Sequence, residues 1–373
     1  MRVVGMDVHV RNSFLCVTEA DGQLLRRGRV GNTLSQLAEF LGSLPGGDQP
    51  LAVVLESTTN SRAIQRMMLD YGQGAGVEVQ AQVLDARKLR VIAESVSKCD
   101  KLDAAVLNEL ARSNLKLPAC YIPDDDMFAL REHLRARSDL VRMRTMLKNR
   151  THSILHRRGI LNPLKDLFTK PGRQWLGEMK LDEAGRLILD RYLAVIDQLG
   201  ESIEESTASL TQLSRSQRWC KQVALLRTMP GVGPITSLTI LAELGDFNRF
   251  KSRAAVSNYA GIVPVVRDSN TTHRSGHITH RGPAHLRAVL VEAAWTSVGR
   301  VPQYGALYNR VAAKKAKQIA IVAVARRMLE DAWTMLKNDE VFRLMTVTSN
   351  VTDVRISASA AVAAAAADPS DAG

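Results

Sequence analysis

Four carboxylates stand where they could do phosphodiester chemistry. Asp7 closes the first apolar run, residues 2–6 (RVVGM), and Glu56 closes another, residues 51–55 (LAVVL). Asp100 and Asp103 follow in Lys98-Cys99-Asp100-Lys101-Leu102-Asp103-Ala104, three apart and so on one face if the segment is helical. Carboxylates gathered in one place repel each other unless hard cations lie between them. Mg²⁺ fits, because it takes oxygen ligands and keeps waters and substrate phosphate oxygens. Two such ions, roughly 3.5–4 Å apart, clamp a phosphodiester during in-line displacement. Taken singly, Asp7 could equally be a turn residue, and Asp100 and Asp103 could be acids favoured at a helix start. The four together, in this order, are more specific.

A second polar stretch sets hydroxyls among cations. Arg267-Asp268-Ser269-Asn270-Thr271-Thr272 leads through His273, Arg274, Ser275, His277, Thr279 and His280 to Arg281 and Arg287. A serine hydroxyl attacking a phosphodiester gives a covalent ester and splits one hard step into two easier ones. Nearby arginines would stabilise the developing charge, and the histidines are candidate proton shuttles. Ser269, Ser275 and Thr279 all qualify on chemistry alone, and a serine in a polar loop is most often a turn residue.

The elements that must position these groups divide along the chain. Short apolar runs at residues 2–6, 13–18 and 24–30, joined by short polar links, read as three antiparallel strands. A helical pattern at 34–44, a doubly buried strand at 51–55, a helix at 61–71 and a strand at 77–83 follow. That is the order of a ribonuclease-H-like α/β fold, in which the strands ending at Asp7 and Glu56 lie side by side. From 124 to 220 the pattern is helical. Leu140, Leu147 and Ile154 recur every seven residues, with Ala136 and Met143 between them, and Leu189, Ile196, Ile203 and Leu210 repeat the spacing less cleanly. The segment is either a coiled coil that dimerises or a helical hairpin packed on a core. Between Arg131 and Arg158 it carries nine Arg or Lys and two acids, which suits a phosphate-facing surface of Arg131, Arg135, Arg142, Lys148, Arg150, Arg157 and Arg158. His152 and His156, spaced i, i+4, have no evident third metal ligand and join that surface.

The remaining segment, 221–349, reads as a small helical domain. Its Met229-Pro230-Gly231-Val232-Gly233-Pro234 turn resembles a helix-hairpin-helix, in which Gly231 and Gly233 would let the backbone approach a phosphate; a plain tight turn is the alternative. The tail, 350–373, is rich in Ala, Ser and Asp and is expected to be disordered. The expected domains are thus 1–123, 124–220, 221–349 and the tail.

The acidic pattern, Gly5-Met6-Asp7, Leu55-Glu56-Ser57-Thr58 and Lys98-x-Asp100-x-x-Asp103-Ala104, resembles the DEDD-type insertion-sequence transposases of the IS-one-ten group, whose relatives include pilin-gene invertases. A second block, Asn258-Tyr259-Ala260-Gly261-Ile262-Val263-Pro264 with the polar stretch from Arg267 to Gly282, is similar to the second block of that family, in the same order. The resemblance implies a RuvC-like N-terminal domain, with Asp7, Glu56, Asp100 and Asp103 as the metal tetrad. It implies that Ser269 is the nucleophile, although Asn270 stands where the family often has a small residue. Arg267, Arg274, Arg281 and Arg287 would then attend the phosphate. It further implies recombination of element ends through a phosphoserine intermediate, a homo-oligomer (a dimer or a tetramer of dimers) with a composite site, and a noncoding guide RNA. Two other readings stay open: a hydrolytic, RuvC-like Holliday-junction resolvase that needs no serine, and a non-enzymatic nucleic-acid-binding protein. A DNA invertase is a close variant of the transposase.

Charge agrees with a polyanionic partner. The 373 residues hold 50 Lys plus Arg against 38 Asp plus Glu, a net charge of +12. No apolar run approaches the roughly 20 residues of a membrane span, and no signal peptide is evident. The cysteines, Cys16, Cys99, Cys120 and Cys220, form no C-x-x-C pair. A cytoplasmic, nucleoid-associated protein with DNA as partner and no membrane is expected.

Overall fold

The computed structural model describes residues 1–46, 49–86, 100–113, 115–269, 272–279 and 281–344; for 100–103, 266–269 and 272–276 it describes the backbone alone. The chain divides into two compact units, residues 1–123 and 124–373. The expected tail, 350–373, lies outside the described residues.

In the first unit, β1 (Arg2–Val8), β2 (Asn12–Thr18) and β3 (Leu24–Gly31) form the antiparallel ribbon expected from their short links. The chain then crosses through α1 (Leu34–Gly42) to β4 (Leu51–Glu56), which lies parallel to β1; α2 (Ser61–Ala75) leads to β5 (Val79–Leu84), parallel to β4. The strand order is β3-β2-β1-β4-β5. Alternation along a strand sends successive side chains to opposite faces. Val4, Met6 and Val8, with Leu51, Val53 and Leu55, meet Leu37, Leu41, Ile64 and Met68 of α1 and α2. The other face meets α3 (Asp100–Arg112): Val54 packs with Leu84 and Leu107. Strands covered on both sides explain the continuous apolar runs around Asp7 and Glu56.

The second unit begins with α4 (Asp125–His156), capped by Asp124, which accepts from the Met127 amide at 2.8 Å. It continues through α5 (Lys170–Glu178) to α6 (Glu183–Ser214). Leu189, Ile196, Ile203 and Leu210 of α6 are all buried, whereas Met143 on α4 is 49% exposed. The less regular repeat is thus wholly buried, while in the α4 repeat Ile154 is buried and Leu140 and Leu147 are half-buried; α4 and α6 pack on each other within one chain. Past α7 (Cys220–Arg227), α8 (Pro234–Leu244) and α9 (Arg253–Ala260), a hairpin of β6 (Pro264–Ser269) and β7 (Thr272–Ile278) precedes α10 (Ala284–Val298), α11 (Pro302–Ala312) and α12 (Lys317–Asn338). Met127, Leu130, Leu134 and Leu210 belong to the same core as Leu226, Leu241, Leu290 and Met328, so the helical arm and the expected third domain share one interior. The β6–β7 hairpin departs from the all-helical expectation. Its residues are mostly polar, with no apolar alternation to mark a strand, and its backbone pairing supplies what the pattern lacks. Among the described residues no helix is long and apolar enough to cross a membrane.

Candidate functional site

Two regions hold the candidate chemistry, one in each unit. In the first, the β1–β4 register runs to Met6 opposite Leu55, so the next residues, Asp7 and Glu56, sit side by side. Both have the parity of Gly5 and Val54, which puts them on the face covered by α3. Asp7 pairs with Phe14 in mid-sheet and is not a turn residue. Its side chain is 12% exposed, and Oδ2 lies 3.2 Å from His9 Nε2.

The direction of α3 is set by the groups that hold it down. Asn108, 1% exposed, donates from Nδ2 to the carbonyls of Val3 (2.8 Å) and Cys16 (3.0 Å) and accepts from Thr18 Oγ1 at 2.9 Å. A Cβ on Gly5 would fall 2.2 Å from the Ala104 carbonyl oxygen, and one on Gly22, in the β2–β3 turn, would meet Arg112. The helix therefore runs antiparallel to β1. Asp103, next to Ala104, and Asp100, one turn further, lie toward the strand end that carries Asp7 and Glu56. The backbone brings the four positions to one end of the sheet. An all-carboxylate set fits a hard divalent cation and not a soft one. His9 and Asn108 were missed from sequence. Asp7-x-His9 alternation was a signal for the first; a lone Asn on an otherwise apolar helix face was one for the second.

In the second unit, the hairpin closes at Ser269 opposite Thr272, with residues 270 and 271, outside the described residues, between them. Arg267 pairs with Arg274. By register Arg267, Ser269, Thr272 and Arg274 share one face, and Asp268, His273 and Ser275 take the other. Ser269 thus stands at the hairpin tip, while Ser275 pairs with Val266 in mid-strand. Thr279 follows β7 at the base, its Oγ1 buried without a hydrogen-bond partner among the described residues. Of the proposed proton shuttles, His273 falls on the face away from Ser269, and His280 is outside the described residues.

The hairpin base is a backbone crossing. Gly261 has φ +68° and Gly282 φ +83°; a Cβ on the first would lie 1.8 Å from the Arg281 carbonyl oxygen, and on the second 1.9 Å from that of Tyr259. Arg287 secures the crossing, donating from one nitrogen toward the carbonyls of Ala260 (3.0 Å), Gly282 (3.1 Å) and Arg281 (3.2 Å). Arg287, expected at the phosphate, is thereby committed to the backbone. Arg281 is exposed.

Several other residues expected at phosphates have partners within the fold. Arg131 is 11% exposed and donates to the Ala242 and Glu243 carbonyls, closing the C-terminus of α8. Arg135 forks onto the buried Glu243 carboxylate at 3.0 and 3.2 Å. Arg158 forks onto Asp182 at 2.5 and 3.0 Å. Arg142 pairs with Asp139, and Lys148 lies 4.6 Å over the Phe168 ring. His152 packs edge-on against Phe168. Arg150 and Arg157 are exposed and have no acidic partner among the described residues. Gly231, at φ +86°, is closely packed: a Cβ there would meet Ser297 Oγ at 2.5 Å and the Ala293 carbonyl at 2.8 Å. The absence of a side chain there allows close packing against α10; the space around Gly233 is open.

Comparison with known proteins bears on both units. The profile described as the Transposase IS116/IS110/IS902 family matches residues 223–309, and a transposase profile of the DEDD type of IS110 elements matches residues 4–158. The chain is 26% identical over 349 residues to the transposase for insertion sequence element IS1328 of Yersinia enterocolitica, covering 91% of this chain and 98% of that one. It is 30% identical to the putative transposase y4qE of Sinorhizobium fredii over 53% of this chain and 48% of that protein, so that match spans about half of the relative. It is 28% identical to the pilin gene-inverting protein of Moraxella bovis, over 46% of this chain and 54% of that one.

Proposed function

We infer the chemistry of this chain from one premise: it belongs to the IS110 family of transposases, enzymes that bind, cleave and recombine DNA. Enzymes of the DEDD type use a divalent metal. We assign Mg²⁺ to a site of Asp7, Glu56, Asp100 and Asp103 in a RuvC-like nuclease domain, residues 1–123. A bound Mg²⁺ would supply Lewis-acid stabilisation of charge on the phosphate. His9 holds the Asp7 carboxylate through Nε2, and Asn108 and Gly5 hold α3 against β1. Residues 124–220 form the basic arm, and residues 221–349 present the nucleophile.

Ser269 Oγ attacks the scissile phosphorus. An Oγ–P bond forms, the P–O bond to the departing deoxyribose breaks, the serine proton passes to a nearby base, and the departing oxygen gains a proton. The reverse attack by a sugar hydroxyl of the new strand releases Ser269. Because the ester conserves the phosphodiester, rejoining needs no external energy source. Arg267 and Arg274 stabilise the charge on the phosphate oxygens. The observation that supports this reading is the hairpin: of the three candidate hydroxyls, Ser269 alone combines the tip position with the face of both arginines. A homo-oligomer with a composite site and a noncoding guide RNA belong to the same proposal, on the family resemblance. The match to a pilin gene-inverting protein favours inversion as a second outcome of the same chemistry.

The test incubates the protein with Mg²⁺, labelled element-end DNA and a transcript of the flanking noncoding DNA, then denatures the mixture. Label should migrate with the protein, and Ser269→Ala should remove it, while Ser275→Ala and Thr279→Ala keep it. Cleavage with no protein-linked label in any variant would favour the hydrolytic resolvase.

A further inference from the structure

A groove of about 790 Å³ runs between α4, α6 and α10 in the second unit, lined by one stripe of α4 from Ser138 to Arg157, by Tyr192, and by Ala288 and Glu292. At 1.5 Å per residue the stripe is roughly 28 Å long, the length of about eight nucleotides at duplex rise. Its chemistry is mixed in a particular way. Arg150 and Arg157 are exposed without acidic partners among the described residues, unlike Arg131, Arg135 and Arg158, which the fold consumes. Beside these cations and the polar Thr145, Asn149 and Ser153, the lining offers apolar and aromatic groups: Met146 is 49% exposed, and Tyr192 is half-buried in the wall. The acid on the far wall, Glu292, interacts with the guanidinium of the half-buried Arg137.

A duplex is read through phosphates and groove edges and would leave a recessed tyrosine unused. An unpaired strand offers both phosphates for arginines and base faces for an aromatic ring, the combination that single-strand binders use. We propose that this groove binds an unpaired stretch of nucleic acid, with Tyr192 and Met146 as the stacking platform and Arg150 and Arg157 on its phosphates. The proposal extends the recombinase reading, in which strand exchange creates unpaired strands, and the groove lining includes neither Ser269 nor any of the four carboxylates. The strand is either DNA from the opened substrate or RNA; the chemistry is shared.

The experiment measures fluorescence anisotropy of the full-length protein with labelled dT12, rU12 and a dA12–dT12 duplex. Tyr192→Ala should weaken single-strand binding at least fivefold, as expected for one lost base stack, and change duplex binding less than twofold. Tyr192→Phe should retain wild-type single-strand affinity, which separates stacking from loss of the fold. The double variant Arg150→Ala with Arg157→Ala should flatten the single-strand salt dependence by a log–log slope of about 1.4, from two lost phosphate contacts. Tighter binding of rU12 or of dT12 assigns the source. Equal loss in Tyr192→Ala and Tyr192→Phe, unchanged single-strand binding in Tyr192→Ala, or losses confined to the duplex would overturn the proposal. The protein-linked label of the Ser269 assay is read separately, so the groove and the nucleophile can fail independently.

Discussion

The two candidate regions are held in opposite ways. Asp7 and Glu56 end central strands of a five-stranded sheet covered on both faces, and α3 is fastened to β1 and β2 by the buried Asn108 and by the contact at Gly5. Ser269 stands at the tip of a two-stranded hairpin whose described attachment is its base, where Gly261 and Gly282 cross and Arg287 closes three carbonyls. Gathering several negative charges needs a frame that keeps their spacing against repulsion, and a packed sheet end provides it. A nucleophile that must reach a phosphate, hold it and give it up gains from a projecting hairpin, provided its base is firm. Each site is vulnerable at a different place: the carboxylates through the helix that covers them, the serine through its anchor.

The largest effect on this comparison should come from Gly282→Ala. The positive φ alone costs about 1–3 kcal/mol for a residue with a Cβ, and the overlap with the Tyr259 carbonyl adds to it. Recombination should fall more than about a hundredfold, while Mg²⁺ affinity of the carboxylate face, measured by calorimetry, should stay within about twofold. A matched loss of metal binding would mean that the two regions do not stand on separate supports.

Asn108→Ala should act in the converse sense. Removing this buried amide strands its partners and costs roughly 1–3 kcal/mol, read as a lower unfolding midpoint in urea. The Mg²⁺ concentration for half-maximal cleavage should rise, and an adduct formed at saturating Mg²⁺ should persist. Unchanged metal dependence would remove Asn108 from the positioning of α3.

The smallest effect concerns the arm. The Arg158 guanidinium, with help from the Gly185 amide, holds the Asp182 carboxyl down to about 2 from 3.8. A group depressed in the folded state stabilises above its unfolded value and loses that contribution as pH falls through the folded one. Asp182→Asn should therefore flatten the dependence of the melting temperature between about pH 4 and pH 2 and leave its shape unchanged near neutrality. An unaltered acid limb would mean that the exposed pair contributes nothing.

The first unit was legible because its signals are local and strong. Continuous apolar runs at residues 2–6 and 51–55, ending in Asp7 and Glu56, belong to strands buried on both faces, and short links force the antiparallel ribbon. The second unit was legible in its helices and not in its hairpin. Arg267 to Thr272 carries no apolar alternation, so pairing set by the Gly261–Gly282 crossing left no trace in the pattern. Charge counting likewise could not tell Arg131, folded onto the end of α8, from Arg150, which faces outward; only partners distinguish them. At Gly231 the pattern could not show the packing against α10, because packing against a helix and approach to a phosphate both call for a residue without a side chain.

The account rests on which atom holds the DNA. The direct measurement is mass spectrometry of the trapped protein–DNA adduct after digestion of both components, locating the residue that carries the nucleotide remnant. The account predicts a single modified peptide with the remnant on Ser269. A remnant on Ser275, on Thr279 or on any residue outside the β6–β7 tip would contradict it.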